Sequence, residues 1–359
     1  MERVLRILIV KLSAIGDVVH TLPLLEVIKG NWPNARIDWV VEEDASALIT
    51  DHPLLDRVLI SKRKSWQRKI FQDSIGSVAG EVRGFLKELR NVRYDLVLDI
   101  QGLFKSGLIT ALARGKRKLG LSDAREISWL FYSEPSVKVS PDEHAVDRYL
   151  KVAGFLGLDA LRWEGKIPVN SGAKERVVVL MEKNGLGDKP VVAINPIAKW
   201  PTKLWSVEGF SKVADRLRKD FCCDVVFTGS SSDLPVIEEI AAMMKMPSVI
   251  FAGETGLKEL AFFLSRCSAM VTTDTGPMHI AAAMGCPVVA LFGPTAPQRT
   301  GPYGDCHTVV TAGVTCSPCF RKRCYHMTCM REIRTDDVIA AVGAILDRKP
   351  SVYHKENDG

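Results

Sequence analysis

The stretch "AMVTTDTGPMHIAAAMGCPVVALFGPT" (residues 269–295) decides the fold. An apolar, β-branched run ends at Thr273, and Asp274, Thr275 and Gly276 turn the chain. Pro277 then falls at the first helical position, where its missing N–H does no harm. Gly285 ends the helix, and Pro287 opens a second apolar run that closes at "FGPT" (292–295). Strand, tight turn, helix and strand in so short a span predict a βαβ unit, hence a parallel sheet covered by helices.

Working outward, the same grammar repeats. "PVVAINP", "CDVVFTG" and "SVIFAG" read as buried strands, and "SVEGFSKVADRLRKDF", "VIEEIAAMMKM" and "LKELAFFLSRC" as helices between them. They predict a doubly wound domain over residues 171–348, its last helix "TDDVIAAVGAILDR" capped by Thr335 or Asp336, with a frayed tail at 349–359. In the first half "RILIVKL", "RIDWVVEE", "RVLIS" and "YDLVLDIQG" read as strands. "VVHTLPLLEVIKG", ending at Gly30, and "VAGEVRGFLKELRNV" read as helices. A first doubly wound domain is therefore expected over residues 1–170, reaching the polar stretch "IPVNSGAKER". Open parallel sheets bind ligands outside the C-terminal ends of their strands. The expected architecture is α/β, two doubly wound Rossmann-like domains facing a central cleft.

Composition sets the broad class. The 359 residues are 47% hydrophobic and 25% charged, as in ordinary globular proteins, and the net charge of +6 suits an acidic partner. No apolar run approaches the roughly 18–20 residues of a membrane span. "MERVLRILIVKL" starts like a signal peptide, but Lys11 breaks its apolar core and no small-residue cleavage site follows. It reads as a first strand, and the protein as cytoplasmic. Nine cysteines without an export signal suggest thiols. A Walker-type loop and a GxGxxG turn are both absent, which disfavours P-loop nucleotide hydrolysis and a dehydrogenase.

Four places carry candidate chemistry. At 274–279, Gly276 lets a ligand approach the backbone, and the N–H groups and dipole of the helix start favour a phosphate. Thr275 adds a hydroxyl and His279 lies in the first turn; the alternative is that Asp274 only caps the helix and His279 packs locally. In "LSAIGDVVHT" (12–21) a lone carboxylate, Asp17, sits beside Ser13 and Gly16 where a buried strand becomes a helix. It is either a cap or a base. "KRKSWQRK" (62–69) carries five cations and no acid, either a solvated loop or a surface for an anionic ligand. "CSPCFRKRCYHMTC" (316–329) has C-x2-C-x4-C-x4-C spacing with His326 inside. Cys316, Cys319, Cys324 and Cys329 hold either a structural zinc or remain reduced thiols.

"DTGPMHIAAAMGCPVVALFGPT" together with "ILIVKLSAIGDVVHTLPLL" resembles glycosyltransferase family 9, the ADP-heptose:lipopolysaccharide heptosyltransferases. The similarity covers nearly the whole chain. Further matches are "WVVEE" (39–43), "DIQGLFKSG" (99–107), "AREISWLFY" (124–132), "HAVDRY" (144–149) and "WPTKLW" (200–205). The tandem "DxQGLxKS" and "AREx(3)LFY" most resemble the heptosyltransferase I branch, which adds the first heptose to the Kdo (keto-deoxy-octulosonate) region of lipid A. "NPIAKW" (195–200) departs from the pattern, since many members carry a glycine-containing turn there.

The resemblance implies a GT-B fold, with the acceptor on the N-terminal domain and the nucleotide sugar on the C-terminal one. It implies an inverting transfer that needs no metal or other cofactor. Asp17 becomes the expected base and Lys203 the expected partner of the donor phosphates. Asp274, Thr275, Gly276 and His279 are expected around the ADP and the heptose, with Ser13 and Gly16 also on the donor side. Gln101, Lys105 and Arg125 in the matched motifs, with Lys62, Arg63 and Lys64, are expected to bind the acceptor, because lipid A phosphates and Kdo carboxylates suit arginines and lysines. The expected partners are ADP-heptose and Kdo2-lipid A or another lipopolysaccharide inner-core acceptor. Peripheral contact at the cytoplasmic face of the inner membrane is expected, with no nucleic acid. The rivals are a family 9 transferase with another acceptor, such as heptosyltransferase II, a GT-B-fold epimerase, and a non-catalytic nucleotide-sugar or lipid A binding protein.

This chemistry explains the residue types. Glycosyl transfer needs a base for the acceptor hydroxyl, and positive charge or N–H dipoles for the departing diphosphate. Asp17 can supply the first; Lys203 and the helix start at 276 can supply the second.

Overall fold

The structure is a computed structural model that describes residues 4–72 and 75–347. The chain divides into two compact units, Met1–Pro168 and Val169–Gly359, each with its own parallel sheet. Two doubly wound units are the content of a GT-B protein. No helix among the described residues is long and apolar enough to cross a membrane.

In the first unit the strands are β1 (Arg6–Val10), β2 (Arg36–Glu42), β3 (Arg57–Ser61), β4 (Arg93–Asp99) and β5 (Arg114–Gly120). Their order is β3-β2-β1-β4-β5, all parallel. Ile7, Leu8, Ile9 and Val10 of the central strand are fully buried, because helices cover both faces of such a sheet. The chain builds outward from β1 to β3, then returns to β4 on the other side. The switch point therefore lies between β1 and β4, where the loops following their C-terminal ends diverge.

Two sequence expectations change here. The helix expected to end at Gly30 is two helices, Ile15–Val19 and Leu22–Asn31. Pro23 has no N–H to donate and is tolerated only in a first turn, so a new helix starts just before it. The basic run is not a loop: it opens the helix Arg63–Gln72.

In the second unit the strands are β6 (Val191–Asn195), β7 (Asp224–Phe227), β8 (Val249–Ile250), β9 (Ala269–Thr273), β10 (Val288–Leu291) and β11 (Thr308–Val310). Their order is β11-β10-β9-β6-β7-β8, again all parallel, so β9 and β6 flank the switch point. Helix Val207–Phe221 shows how sequence makes core: Ser206 caps it by accepting the Gly209 N–H at 3.0 Å. The helical spacing then drives Phe210, Val213, Ala214 and Leu217 onto the sheet. Burying the two large ones, Phe210 and Leu217, contributes about 1.5–3 kcal/mol each.

The polar stretch before this unit opens a further helix, Ser171–Lys183, whose cap Asn170 accepts the Ala173 N–H at 2.9 Å. The last helix is Thr335–Leu346 with Arg334 at the cap position, so Thr335 and Asp336 are its first and second residues. Acids there still favour the helix dipole. The tail at 349–359 lies outside the described residues.

Candidate active site

The first unit gathers its polar residues just past β1, β2 and β4. Asp17, in the short helix after β1, uses both carboxylate oxygens. Oδ2 accepts the Ala14 N–H at 3.1 Å, so the acid does cap its own turn. Oδ1 accepts the Tyr149 hydroxyl at 3.2 Å, and the side chain stays 36% exposed. A solvated cap would need only the first of these contacts.

Beneath Asp17 lies Lys11, 2% exposed. Its Nζ donates to the Ile100 carbonyl at 3.0 Å and to the Tyr149 oxygen at 2.7 Å, 4.0 Å from Asp17 Oδ1. Burial pulls the Lys11 pKa down, against the pull of Asp17 and Asp99. Burial likewise pushes the Tyr149 hydroxyl well up, helped by Asp17.

Gln101, after β4, accepts the Leu12 and Ser13 N–H groups on its Oε1 at 3.1 and 3.0 Å, which fixes the turn that carries Asp17. Lys105 reaches Ser13 Oγ at 2.9 Å and Glu42 Oε1 at 2.8 Å. Glu42 is a residue that sequence reasoning missed. It closes β2 with 2% exposure and also takes Arg63 at 3.2 Å, while Lys64 pairs with Asp44. Burial acts to raise the Glu42 carboxyl, yet Lys105 and Arg63 outweigh it and hold it below the ordinary value. The one local signal is that Glu42 is an acid closing the apolar run "WVV"; its partners lie elsewhere in the chain.

These pairings alter the charge expected of the basic stretch. Arg63, Lys64 and Lys105 are already engaged with Glu42 and Asp44, whereas Lys62 and Arg125 are exposed. The structure thus brings Ser13, Arg63, Gln101 and Lys105 into one network of direct or shared contacts, while Asp17 is held separately by Ala14 and Tyr149.

The second unit places its candidates across its own switch point. After β9, the cap of helix Gly276–Ala283 is Thr275, whose side chain makes no capping hydrogen bond, and Pro277 is the second helical residue. The Asp274 carboxylate turns to Lys203, which follows β6, at 2.6 Å. Thr295, after β10, donates to the same oxygen at 2.6 Å. The Thr273 hydroxyl bonds the Ile197 carbonyl at 3.0 Å and so ties the loop leading to Lys203 onto β9. His279 is buried within the first turn. The arrangement sets an ammonium, paired with Asp274, beside a helix N-terminus, and both can meet a phosphate oxygen.

The four clustered cysteines line one cavity of about 140 Å³ with Thr202, Pro294, Arg321, His326 and Met327. All four are free thiols. Burial, and then the neighbouring Cys316, Cys319 and Cys324, push the Cys329 thiol up. Among the described residues no three His, Cys, Asp or Glu side chains are arranged to hold a metal ion.

The family model of glycosyltransferase family 9 (heptosyltransferase) matches residues 82–329. Lipopolysaccharide heptosyltransferase 1 of Pseudomonas aeruginosa is 31% identical over 89% of this chain and 87% of its own. Lipooligosaccharide heptosyltransferase 2 of Haemophilus influenzae is 28% identical over 85% of this chain and 88% of its own. Among solved structures, the E. coli heptosyltransferase WaaC with ADP superposes with a TM-score of 0.76 at 25% identity, covering 95% of this chain and all of that one.

Proposed function

The chain belongs to glycosyltransferase family 9, and from that premise we propose that it moves a heptose from ADP-heptose to the Kdo region of the lipopolysaccharide inner core, with inversion and with Asp17 as general base. The observation that carries the reading is the state of Asp17: a part-exposed carboxylate with one oxygen held by backbone and the other by Tyr149. The acceptor hydroxyl gives its proton to Asp17 as its oxygen bonds to the anomeric carbon. The bond from that carbon to the diphosphate breaks, and the electron pair leaves on ADP.

Lys203 and the N–H groups at the start of helix Gly276–Ala283 take up the negative charge that develops on the departing diphosphate. Thr275, Gly276 and His279 complete the donor side, with Asp274 orienting Lys203; Ser13 and Gly16, in the turn that carries Asp17, are also assigned to the donor. Because protein groups supply this charge, the transfer needs no cofactor. On the acceptor side, Lys62 and Arg125 meet phosphates and carboxylates, while Gln101, Arg63, Lys64 and Lys105 shape the surface that receives them.

We place the enzyme at the cytoplasmic face of the inner membrane, in peripheral contact. Leu130, 68% exposed, and Trp129 and Ile127, each 49% exposed, stand beside Arg125, a pairing of apolar and cationic groups suited to an anionic lipid surface.

The test is incubation with ADP-heptose and either Kdo2-lipid A or its heptosylated product. Transfer to Kdo2-lipid A alone supports the reading, transfer to the heptosylated product alone reassigns the acceptor, and transfer to neither overturns it.

A further inference from the structure

We infer that Lys11 and Tyr149 are positioning residues for Asp17: a buried ammonium, relayed through one phenol hydroxyl, holds the carboxylate aimed at the acceptor. The inference rests on the reading of Asp17 as the base.

Lys11 is an unexpected residue where it stands. It continues the run Ile7–Val10 into the core at 2% exposure, a position that an apolar side chain would fill without the cost of desolvating an ammonium. Its Nζ is closed in by the Ile100 carbonyl and the Tyr149 oxygen, so it is not offered to a ligand. Its charge can still act at 4.0 Å on Asp17 Oδ1. Tyr149 comes from a distant part of the chain, on helix Ala145–Phe155. A phenol has one proton and can also accept; by accepting from Lys11 at 2.7 Å it turns its own hydrogen toward Asp17 Oδ1 at 3.2 Å. Lys11 also sits 4.4 Å from the centre of the Tyr149 ring, which fixes the ring from below.

The other charges acting on Lys11 are Asp99, Asp123 and Arg148. Arg148 pairs with Asp123. Asp99 accepts the Gln101 and Gly102 N–H groups and the Ser106 and Tyr132 hydroxyls. Both acids therefore have other partners, and Asp17 is the acid that shares Tyr149 with the ammonium. Two held oxygens leave the exposed face of the carboxylate to accept a proton in a fixed direction.

The test is Tyr149→Phe, which removes the relay oxygen and keeps the ring. Two measurements are made on the full chain: the Asp17 titration, followed by NMR of protein labelled with ¹³C at the aspartate carboxyls, and kcat/KM for Kdo2-lipid A against pH at saturating ADP-heptose. The Asp17 midpoint should rise by about one pH unit, since a hydrogen bond to a charged group is lost. The acid limb of the rate profile should rise with it, while KM for ADP-heptose stays unchanged. Lys11→Met should move both further in the same direction; should it fail to fold, Tyr149→Phe decides alone. An unmoved Asp17 midpoint in the folded Tyr149→Phe protein overturns the relay. A midpoint that moves while the rate profile stays still overturns Asp17 as the base, and with it the purpose of the relay.

Discussion

Lys203 Nζ stands 2.6 Å from Asp274 Oδ2, on an oxygen that also accepts the Thr295 hydroxyl at 2.6 Å. One carboxylate thus joins the segments that follow β6, β9 and β10. The ammonium is held before any ligand arrives, so it does not have to be ordered when the leaving diphosphate needs it. Lys203→Ala should lower kcat/KM for ADP-heptose by about 10²–10³, the usual cost of losing one such stabiliser. Asp274, 7% exposed, would keep only Thr295 among these partners, so a loss of about 1–3 kcal/mol in stability should accompany it. Kinetics at a temperature well below the melting point separate the two effects. Near wild-type turnover there would remove Lys203 from the mechanism.

The basic helix calls for a finer test than wholesale charge reversal. Reversing Arg63 and Lys64 would also break their pairs with Glu42 and Asp44, and so would mix folding with binding. Lys62 is exposed and gives the cleaner experiment. Lys62→Glu should raise the acceptor KM several-fold at low salt and leave the KM for ADP-heptose unchanged. The difference should shrink as salt rises to about 0.15 M, where screening acts over about 8 Å. An acceptor KM indifferent to both changes would make this end of the helix ordinary solvated surface.

Glu42 offers a prediction in stability. Its carboxyl is held below the ordinary value because Lys105 and Arg63 outweigh the effect of burial. A carboxyl with a depressed folded pKa stabilises above its unfolded pKa of about 4.3, and that contribution is lost as pH falls through the folded value. Glu42→Gln keeps the shape and discards the charge. It should be less stable than wild type by about 1–2 kcal/mol at pH 7. The gap should narrow as pH drops below about 4. Urea unfolding at pH 7 and pH 3.5 measures it; a gap that does not depend on pH would mean that the pairing contributes through shape alone.

Much of the fold was legible because a parallel sheet writes itself as apolar runs separated by helix-sized segments. The elements missed are those where that code is suspended. β5 reads "RGKRKLG", with four cations in seven residues. It lies at the sheet edge beside β4, where one side needs no strand partner and cations discourage further pairing. The helix Arg63–Gln72 was hidden by its charge, which is paired only in three dimensions. Lys11 was read as an interruption of a strand-like run, yet it is buried, because the groups that satisfy it come from residues 100 and 149. The turns that carry Asp17 and Asp274 were found from local spacing. Glu42 was quoted but given no role, since nothing within its own stretch announces Lys105 and Arg63.

The last prediction separates the two duties of Asp17. As a cap, its Oδ2 holds the Ala14 N–H at 3.1 Å; as a base, it must accept a proton on an exposed oxygen. Asp17→Asn keeps a side-chain oxygen for the first duty, and asparagine caps about as well as aspartate. It abolishes the second, worth about 10²–10⁴ in rate. The variant should therefore melt close to wild type and bind ADP with unchanged affinity, yet transfer at least about a hundredfold more slowly. In the wild type, kcat/KM for the acceptor should fall as pH drops through the carboxylate's pKa, because only the ionised form can take the proton. That limb should vanish in the variant. An Asp17→Asn protein that is destabilised but turns over normally once folded would return the residue to a capping role, and the transfer would then need another base.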